Sequence, residues 1–350
     1  MSTIPVTVLT GFLGSGKTTL LNALLAHPGM GETAVLINEF GEIGLDHLLV
    51  RNVSEDVVLL NSGCLCCTVR GDLVDSLRDL FLKRVKGEIP EFGRVVIETT
   101  GLADPAPIIH TLMTDPLVGS RYRLDGIVST VDAVVGARTL DRHAEAVKQA
   151  AVADRLVLTK TDLADPTQVE LFRGRLRRLN PGAPILLAAM GQLDPGAILD
   201  AGLFNSRSKI PDVEGWLQAE AVAAQGAGSE HGHHHHHDIN RHDDRVRAFV
   251  FVREEPIHWP ALAFGLELLT STRGENLLRI KGIVNARGMD LPLAIHGVQH
   301  VFHPPASLPQ WPDADRRTRI VFITRDIDRH AVESLLDGIL VDGGTPSLPR

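Results

Sequence analysis

Residues 4–22 read IPVTVLTGFLGSGKTTLLN. A β-rich run over 4–10 enters a glycine turn, and a leucine-rich helix is expected over 18–26. Between them, residues 11–18 match the pattern G-x-x-x-x-G-K-[ST], whose backbone N–H groups curl around phosphate oxygens. A chance glycine turn is the alternative, but such a turn requires neither the strand before it nor the helix after it. The stretch therefore predicts a phosphate-binding loop in an α/β fold.

The residue types in this loop suggest separate roles. Lys17 is expected to reach the β- and γ-phosphates, and Thr18 to offer its hydroxyl to Mg²⁺. The start of the helix adds positive potential beside the phosphates. We expect the nucleotide to be held by Gly11, Phe12, Leu13, Gly14, Ser15, Gly16, Lys17, Thr18 and Thr19.

Strand-like and helix-like segments alternate through the first half of the chain. Helical spacing covers 69–85 and 168–179, and the further strand-like runs are 34–38, 57–60, 94–100, 126–131, 156–160 and 184–188. Strands separated by helices favour a parallel sheet with helices on both faces. The predicted fold is the α/β fold of a P-loop NTPase, and this first domain is expected to span residues 1–205.

The regular pattern stops after residue 205. Residues 206–245 have the composition of a loop and predict a histidine-rich linker. Residues 246–341 predict a smaller α+β domain, with strand-like runs at 246–252, 278–286, 291–302 and 318–324 and helices over 259–269 and 330–340. Residues 342–350 are expected to form a frayed tail.

The composition argues against several classes of protein. The 350 residues include 43 Asp and Glu against 35 Lys and Arg, a net charge of −8 that disfavours nucleic acid and anionic membranes as partners. No apolar run approaches the roughly 18 residues of a membrane span, and residues 1–10 do not resemble a secretion signal. The 3 cysteines are too few to staple the chain, so we expect free thiols and a cytoplasmic location.

Two further motifs follow predicted strands. Glu98 ends the run 94–98, where a carboxylate holds Mg²⁺ directly or through water, and Gly101 matches a glycine that senses the γ-phosphate. We expect Lys17, Thr18 and Glu98 to form the catalytic group, although Glu98 could also be an ordinary acid at a strand end.

The sequence TKTD at 159–162 resembles the base-reading motif [NT]-K-x-D of GTPases. The carboxylate of Asp162 can accept from both N1–H and the 2-amino group of guanine, and adenine offers neither donor. Lys160 is expected to lie over the base, and Thr159 replaces the commoner asparagine. A polar turn after a strand is the alternative interpretation.

A cluster of thiols occurs at Cys64, Cys66 and Cys67 in the pattern C-x-C-C. Three neighbouring thiolates can hold a soft or borderline cation such as Zn²⁺ or Cu⁺. They leave a fourth tetrahedral position open, which suits a metal that is handed on. A redox disulfide and simple core packing are the alternatives.

Carboxylates and histidines supply further candidate metal ligands. Glu39 and Glu42 lie in the segment 38–46, where a switch loop is expected, although this could be a solvated acidic loop. Imidazoles on a flexible loop bind Zn²⁺, Ni²⁺ or Co²⁺ weakly, and such a tract is formed by His231, His233, His234, His235, His236 and His237. An inert linker or an expression tag are the alternatives for this tract. We interpret His296, His300 and His303 as surface residues of the second domain.

Taken together, these motifs resemble the CobW family of P-loop GTPases, relatives of UreG and HypB. The matching stretches are TGFLGSGKTTLLN at 10–22, LINEFGEIGLD at 36–46, NSGCLCC at 61–67, VIETTGLADP at 96–105, TKTD at 159–162, RIKGIV at 279–284 and GVQH at 297–300. The resemblance covers nearly the whole chain.

The resemblance implies a GTP-dependent metallochaperone that binds GTP, Mg²⁺ and Zn²⁺ and hands zinc to a client metalloprotein. The zinc-transferring branch of the family fits the motifs best, and the branch that handles cobalt for cobalamin synthesis remains an alternative. A homodimer that depends on metal or nucleotide is also expected. Two other functions stay open: a metal buffer or sensor that uses nucleotide only for stability, and a P-loop kinase, against which Asp162 argues.

Overall fold

A computed structural model describes residues 3–38, 58–62, 69–199 and 245–341; for 38, 58–62, 69–72 and 341 it describes only the backbone. These residues divide into two compact units, 1–177 with 183–203 and 178–182 with 204–350. The predicted metal ligands in the segments 39–42, 64–67 and 231–237 lie outside the described residues. The proposed linker lies outside them too, except at Arg245, and the predicted domain bounds stay predictions.

The first unit is built on a seven-stranded sheet in the order β3-β2-β4-β1-β5-β6-β7. Every neighbouring pair of strands is parallel. The strands are β1 Ile4–Gly11, β2 Thr33–Asn38, β3 Val58–Ser62, β4 Arg94–Glu98, β5 Tyr122–Asp132, β6 Arg155–Thr159 and β7 Ile185–Ala188. In this order β4 and β5 lie on either side of β1, so the loops after these three strands meet at one edge.

Helices connect these strands because a parallel pair requires a crossover. They are α1 Lys17–Leu25, α2 Val69–Lys86, α3 Ala106–Thr114, α4 Pro116–Gly119, α5 Gly136–Arg142, α6 Ala144–Val152 and α7 Pro166–Leu179, with short 3₁₀ turns at Pro28–Met30 and Pro195–Ala197. No helix in the described ranges is both long enough and apolar enough to cross a membrane.

Both faces of the sheet are buried. Successive residues of a strand point to opposite faces, and on one face Leu9 and Val128 pack against Leu21 of α1. Their neighbours on the other face, Val8 and Ile127, are equally inaccessible. The prediction of a parallel sheet with helices on both faces is therefore confirmed.

The second unit contains an antiparallel sheet in the order β11-β10-β9-β13-β8, with β12 paired to β10. Phe249 and Phe322 stack within a core that includes Leu262 and Leu336. This confirms the smaller α+β domain. Its elements are β8 Val246–Arg253, α8 Trp259–Arg273, a 3₁₀ turn Gly274–Asn276, β9 Leu277–Val284, β10 Leu293–Val298, β11 Val301–Phe302, β12 Ala306–Ser307, β13 Thr318–Arg325 and α9 Arg329–Val341.

Two expectations for this unit are wrong. The run 291–302 is not one strand, because the chain reverses at Gln299, whose φ of 53° belongs to a tight turn. His296 is not a surface residue: it is buried on β10, and its ring stacks on that of His303 with centroids 4.9 Å apart. Alternation along β10 does not reveal this, because all six residues of the strand are buried. His300 is exposed and His303 is half-buried.

Candidate nucleotide-binding site

The phosphate loop is the turn between β1 and α1. Gly14 and Gly16 have φ values of 69° and 89°, in the left-handed region that side chains rarely adopt. Gly16 is the N-cap residue of α1, which begins at Lys17. The N–H groups of the first helical turn, which have no acceptor within the helix, and the positive end of the helix dipole therefore lie at the loop, where an anion is favoured.

Lys17 is held tightly within this loop. Its side chain is only 8 % exposed, and Nζ donates to the carbonyl oxygens of Gly11 at 2.9 Å and Phe12 at 3.3 Å. These bonds keep the loop curled and fix a positive charge beside the N-terminus of α1. The position suits a lysine that binds phosphate oxygens.

Thr18, in the first turn of α1, contacts Glu98 at the end of β4. Glu98 ends β4, lies beside Leu9 of β1 and is buried. The Thr18 hydroxyl donates to Glu98 Oε1 at 3.0 Å. A hydroxyl and a carboxylate oxygen at one point beside the phosphate loop form the hard-oxygen donor set that Mg²⁺ prefers, so these residues fit the ion that the motifs imply.

A cavity of about 610 Å³ opens at this edge of the sheet. Its volume falls within the range of small-molecule sites. The phosphate loop forms one side, and the residues that follow β4 form the other. It is lined by Leu13, Gly14, Gly16, Lys17, Thr18, Thr19, Ile37, Glu98, Thr99, Thr100, Gly101, Leu102 and Lys160.

Gly101 allows the two sides of the cavity to approach closely. A Cβ at this position would lie 2.7 Å from the backbone nitrogen and 2.8 Å from the Cα of Leu13. Both are backbone atoms of the phosphate loop, so movement of the Leu13 side chain, whose Cδ2 would lie at 2.6 Å, cannot relieve the clash. Glycine is therefore required here by the contact itself.

We expect Gly101→Ala to lower stability by about 1–3 kcal/mol, the usual result of overpacking, and to reduce GTP turnover because the phosphate loop must shift. Thermal unfolding and phosphate release measure the two effects. Gly119→Ala is the control, because a Cβ on Gly119 would meet nothing within 4 Å. Equal turnover in both variants would contradict this role for Gly101.

The base-reading motif is bonded directly to the phosphate loop. The Thr159 hydroxyl donates to Ser15 O at 2.6 Å. Lys160 has a left-handed φ of 56°, and its Nζ donates to Gly14 O at 2.8 Å and to Asp132 Oδ2 at 2.6 Å. These contacts hold the start of the motif beside the phosphate loop.

Asp162 is exposed, and one of its oxygens, Oδ1, accepts from the backbone N–H of Met190 at 3.3 Å. Met190 is 73 % exposed and lies in the loop after β7. The carboxylate is thus tethered on one side and open to solvent on the other. This arrangement can present acceptor atoms to a purine edge.

Several residues of this site lacked a recognisable motif. Asp132 ends β5, and its side chain binds Lys160 and also accepts from the N–H groups of Val134 and Val135 at 2.7 and 3.1 Å. Met190 meets Asp162 through its backbone. An acid at the end of the strand beside β1 is the signal that could have identified Asp132, whereas nothing in the sequence marks Met190.

The described structure does not include the predicted metal ligands. Among the residues it covers, no group of three His, Cys, Asp or Glu side chains is arranged to hold a metal ion. Cys64, Cys66, Cys67, Glu39, Glu42 and the histidine tract all lie outside these residues, so their roles remain predictions.

Comparison with known proteins places the whole chain in a family. Residues 5–187 match the family "CobW/HypB/UreG, nucleotide-binding domain", and residues 246–340 match the "Cobalamin synthesis protein cobW C-terminal domain". The zinc chaperone YjiA of Escherichia coli is 33% identical over 339 residues, which is 97% of this chain and 99% of the relative.

A further relative and a crystal structure of YjiA itself agree with this match. The zinc-regulated GTPase metalloprotein activator 1 of Schizosaccharomyces pombe is 36% identical over 59% of this chain and 51% of the relative. The crystal structure of zinc-bound YjiA GTPase from E. coli superimposes with a TM-score of 0.71 at 29% identity, covering 97% of this chain and 99% of that one. The chain therefore belongs to the CobW/HypB/UreG family of P-loop GTPases.

Proposed function

We propose that this protein is a zinc chaperone that hydrolyses GTP, binds zinc at Cys64, Cys66 and Cys67, and transfers it to a client metalloprotein. The observation that carries the proposal is the cavity at the carboxyl edge of the sheet, which is lined by the phosphate loop, by the hydrogen-bonded pair Thr18 and Glu98, and by Lys160 of the base-reading motif. The zinc-chaperone names of the relatives support the choice of metal.

Each of the described residues at the cavity has a separate role in GTP hydrolysis under this proposal. Lys17 supplies fixed positive charge at the phosphates, and Thr18 and Glu98 would hold Mg²⁺. When bound, this ion would neutralise charge on the β- and γ-phosphates. Gly101 holds the loop after β4 against Leu13, so this loop and the phosphate loop can respond to the same ligand.

The zinc half of the proposal rests on thiol chemistry. Thiolates bind Zn²⁺ as charged, soft ligands, and their binding must release protons. Three of them leave one position open, which Glu39 or Glu42 could close in one nucleotide state. The histidine tract over 231–237 would collect zinc more weakly and deliver it to the thiols.

The proposal makes zinc affinity depend on the nucleotide. The segments 38–46 and 63–67 follow β2 and β3, so both start from the carboxyl edge of the sheet, where the cavity lies. A γ-phosphate and Mg²⁺ commonly order such loops and release them on hydrolysis. Linkage then requires zinc to shift the preference between GTP and GDP by the same factor.

We expect zinc affinities in the GTP-analogue and GDP forms to differ by about 5–150-fold, the usual range of coupling between two sites. A competition titration against a zinc-binding dye, run on both nucleotide forms of the full chain, measures the difference. Cys66→Ser should remove the tight site in both forms, and Glu39→Ala should reduce only the difference. Identical affinities in the two forms would instead favour a passive metal buffer.

A further inference from the structure

Helix α6 contacts the loop that follows β4. The Gln149 side chain is fully buried, and its Nε2 donates to the carbonyl oxygens of Gly101 at 3.2 Å and Ala103 at 3.0 Å. The next residue back on the helix, Lys148, forms an ion pair with Asp104, with Nζ and Oδ2 3.1 Å apart. Two neighbouring residues of α6 therefore hold Gly101, Ala103 and Asp104, at the far end of this loop.

The near end of the same loop is fixed to β1. The Thr99 N–H donates to Leu9 O at 2.9 Å, and the Thr99 hydroxyl donates to that of Thr10 at 2.9 Å. Between the two anchors, residues 100–102 line the nucleotide cavity. The backbone of residues 100–102, which lines the cavity, is therefore held by β1 at one end and by Gln149 at the other.

The start of α6 also contacts the phosphate loop. His143 precedes the helix, and its ring stacks on that of Phe12 with centroids 4.4 Å apart and an angle of 29° between the planes. One helix thus contacts both sides of the cavity, the phosphate loop through His143 and the loop after β4 through Gln149.

Packing alone does not explain an amide at position 149. Its Nε2 uses both donors on loop carbonyls, but Oε1 is buried without a hydrogen-bond partner among the described residues. A buried acceptor that lacks a partner is costly, and an apolar side chain of similar size would avoid this cost. Gln149 therefore donates two hydrogen bonds to the loop although burying its Oε1 costs free energy.

We propose that Gln149 is a positioning residue for GTP hydrolysis. It fixes the carbonyls of Gly101 and Ala103, so that the backbone between Glu98 and Ala103 keeps the shape required to meet the terminal phosphate. GDP lacks that phosphate, so Gln149 should matter for GTP and little for GDP. The inference rests on the GTP-hydrolysis part of the proposed function and is independent of zinc transfer.

The first test is Gln149→Met, which preserves length and removes both donors. Measured without zinc, single-turnover GTP hydrolysis should fall about 10–100-fold, as expected for a misplaced catalytic loop. GDP affinity should stay within about threefold, and the preference for a nonhydrolysable GTP analogue over GDP should fall about tenfold. The analogue measurement remains informative even if zinc and turnover prove to be unrelated.

The second test is Gln149→Glu, because a purely structural role of Gln149 would not explain the pH dependence of hydrolysis that we expect for this variant. Burial raises the pKa of an introduced carboxyl. Above that pKa its charge opposes the two loop carbonyls, and below it one O–H can donate to them. The hydrolysis rate of this variant, divided by that of the unmodified protein, should therefore rise as the pH falls from about 8 to about 6, and Gln149→Met should show no such rise.

Tyr122→Phe is the matched control. Tyr122 is also buried and donates to a backbone carbonyl, Leu77 O, at 2.9 Å, but it lies at the start of β5, away from the cavity. It should lower the melting temperature and leave the hydrolysis rate unchanged. The proposal is overturned if Gln149→Met hydrolyses GTP within twofold of the unmodified protein, or if it weakens GDP and GTP-analogue binding equally. If Gln149→Met does not fold, the pH profile of Gln149→Glu decides, and a flat ratio overturns the proposal.

Discussion

Lys17→Ala should lower the rate of GTP hydrolysis by about 10²–10³-fold, the usual loss when a preorganised charge at a reacting group is removed. Lys17 is a buried residue that lines the cavity, and its ammonium is held by the carbonyls of Gly11 and Phe12. Its charge therefore requires little reorganisation when phosphate charge develops. Phosphate release at saturating GTP measures the effect.

Because Lys17 also bonds the loop backbone, part of the loss could come from an altered loop. GDP affinity separates the two causes: a collapsed loop weakens GDP binding as much as it slows hydrolysis, whereas loss of the charge alone weakens GDP binding less, because GDP has only the β-phosphate for Lys17 to contact. Lys83→Ala is the control, since Lys83 pairs with Asp79 on the surface of α2 at 2.8 Å and lies outside the cavity. A folded Lys17→Ala protein with more than a tenth of the original rate would contradict the assignment.

The phosphate loop could be predicted because its chemistry is local. Gly14, Gly16, Lys17 and Thr18 are close in sequence, and the left-handed backbone at both glycines agrees with the motif. The position of Glu98 could also be predicted, because parallel strands end at a common edge of the sheet. A carboxylate at that edge seldom contributes to packing, which favours a role in binding. The structure then added the distance, 3.0 Å between Thr18 Oγ1 and Glu98 Oε1.

Contacts between distant residues could not be predicted in this way. Gln149 lies 48 residues from Gly101, in a stretch of alanines and valines that the sequence analysis did not assign to a helix. Helices α3, α4, α5 and α6 all went unassigned, because none is longer than 9 residues and so short a helix shows few repeats of the helical period. The contacts of α6 with the loop after β4 could therefore not be predicted either.

The second unit shows another limit of periodicity. Alternation of apolar and polar residues can indicate a strand, but it does not show whether one or both faces of that strand are buried. Both faces of β10 are buried, so His296 was assigned to the surface although its ring packs on His303. The reversal at Gln299 has neither Gly nor Asn, the residues that usually identify such a turn.

The nucleotide specificity should depend on Asp162. We expect Asp162→Asn to weaken GTP binding by about 1.5–3 kcal/mol, since a hydrogen bond to a charged group is lost, which is about 10–150-fold in affinity. The variant should gain affinity for xanthosine nucleotides, because the new amide can donate to the 2-oxo group. Competition between GTP, xanthosine triphosphate and ATP for a fluorescent nucleotide measures all three.

Asparagine is the informative substitution because it separates the two roles of the Asp162 side chain, which are to hold the loop after β7 and to accept hydrogen bonds from the base. Oδ1 accepts from Met190 N–H at 3.3 Å, and an amide oxygen can keep that bond. The loop after β7 should therefore stay in place, and only the second carboxylate oxygen and the charge are lost. Asp162→Ala removes both contacts and should weaken every nucleotide without a gain for xanthosine. If the unmodified protein bound ATP and GTP equally, Asp162 would not read the base.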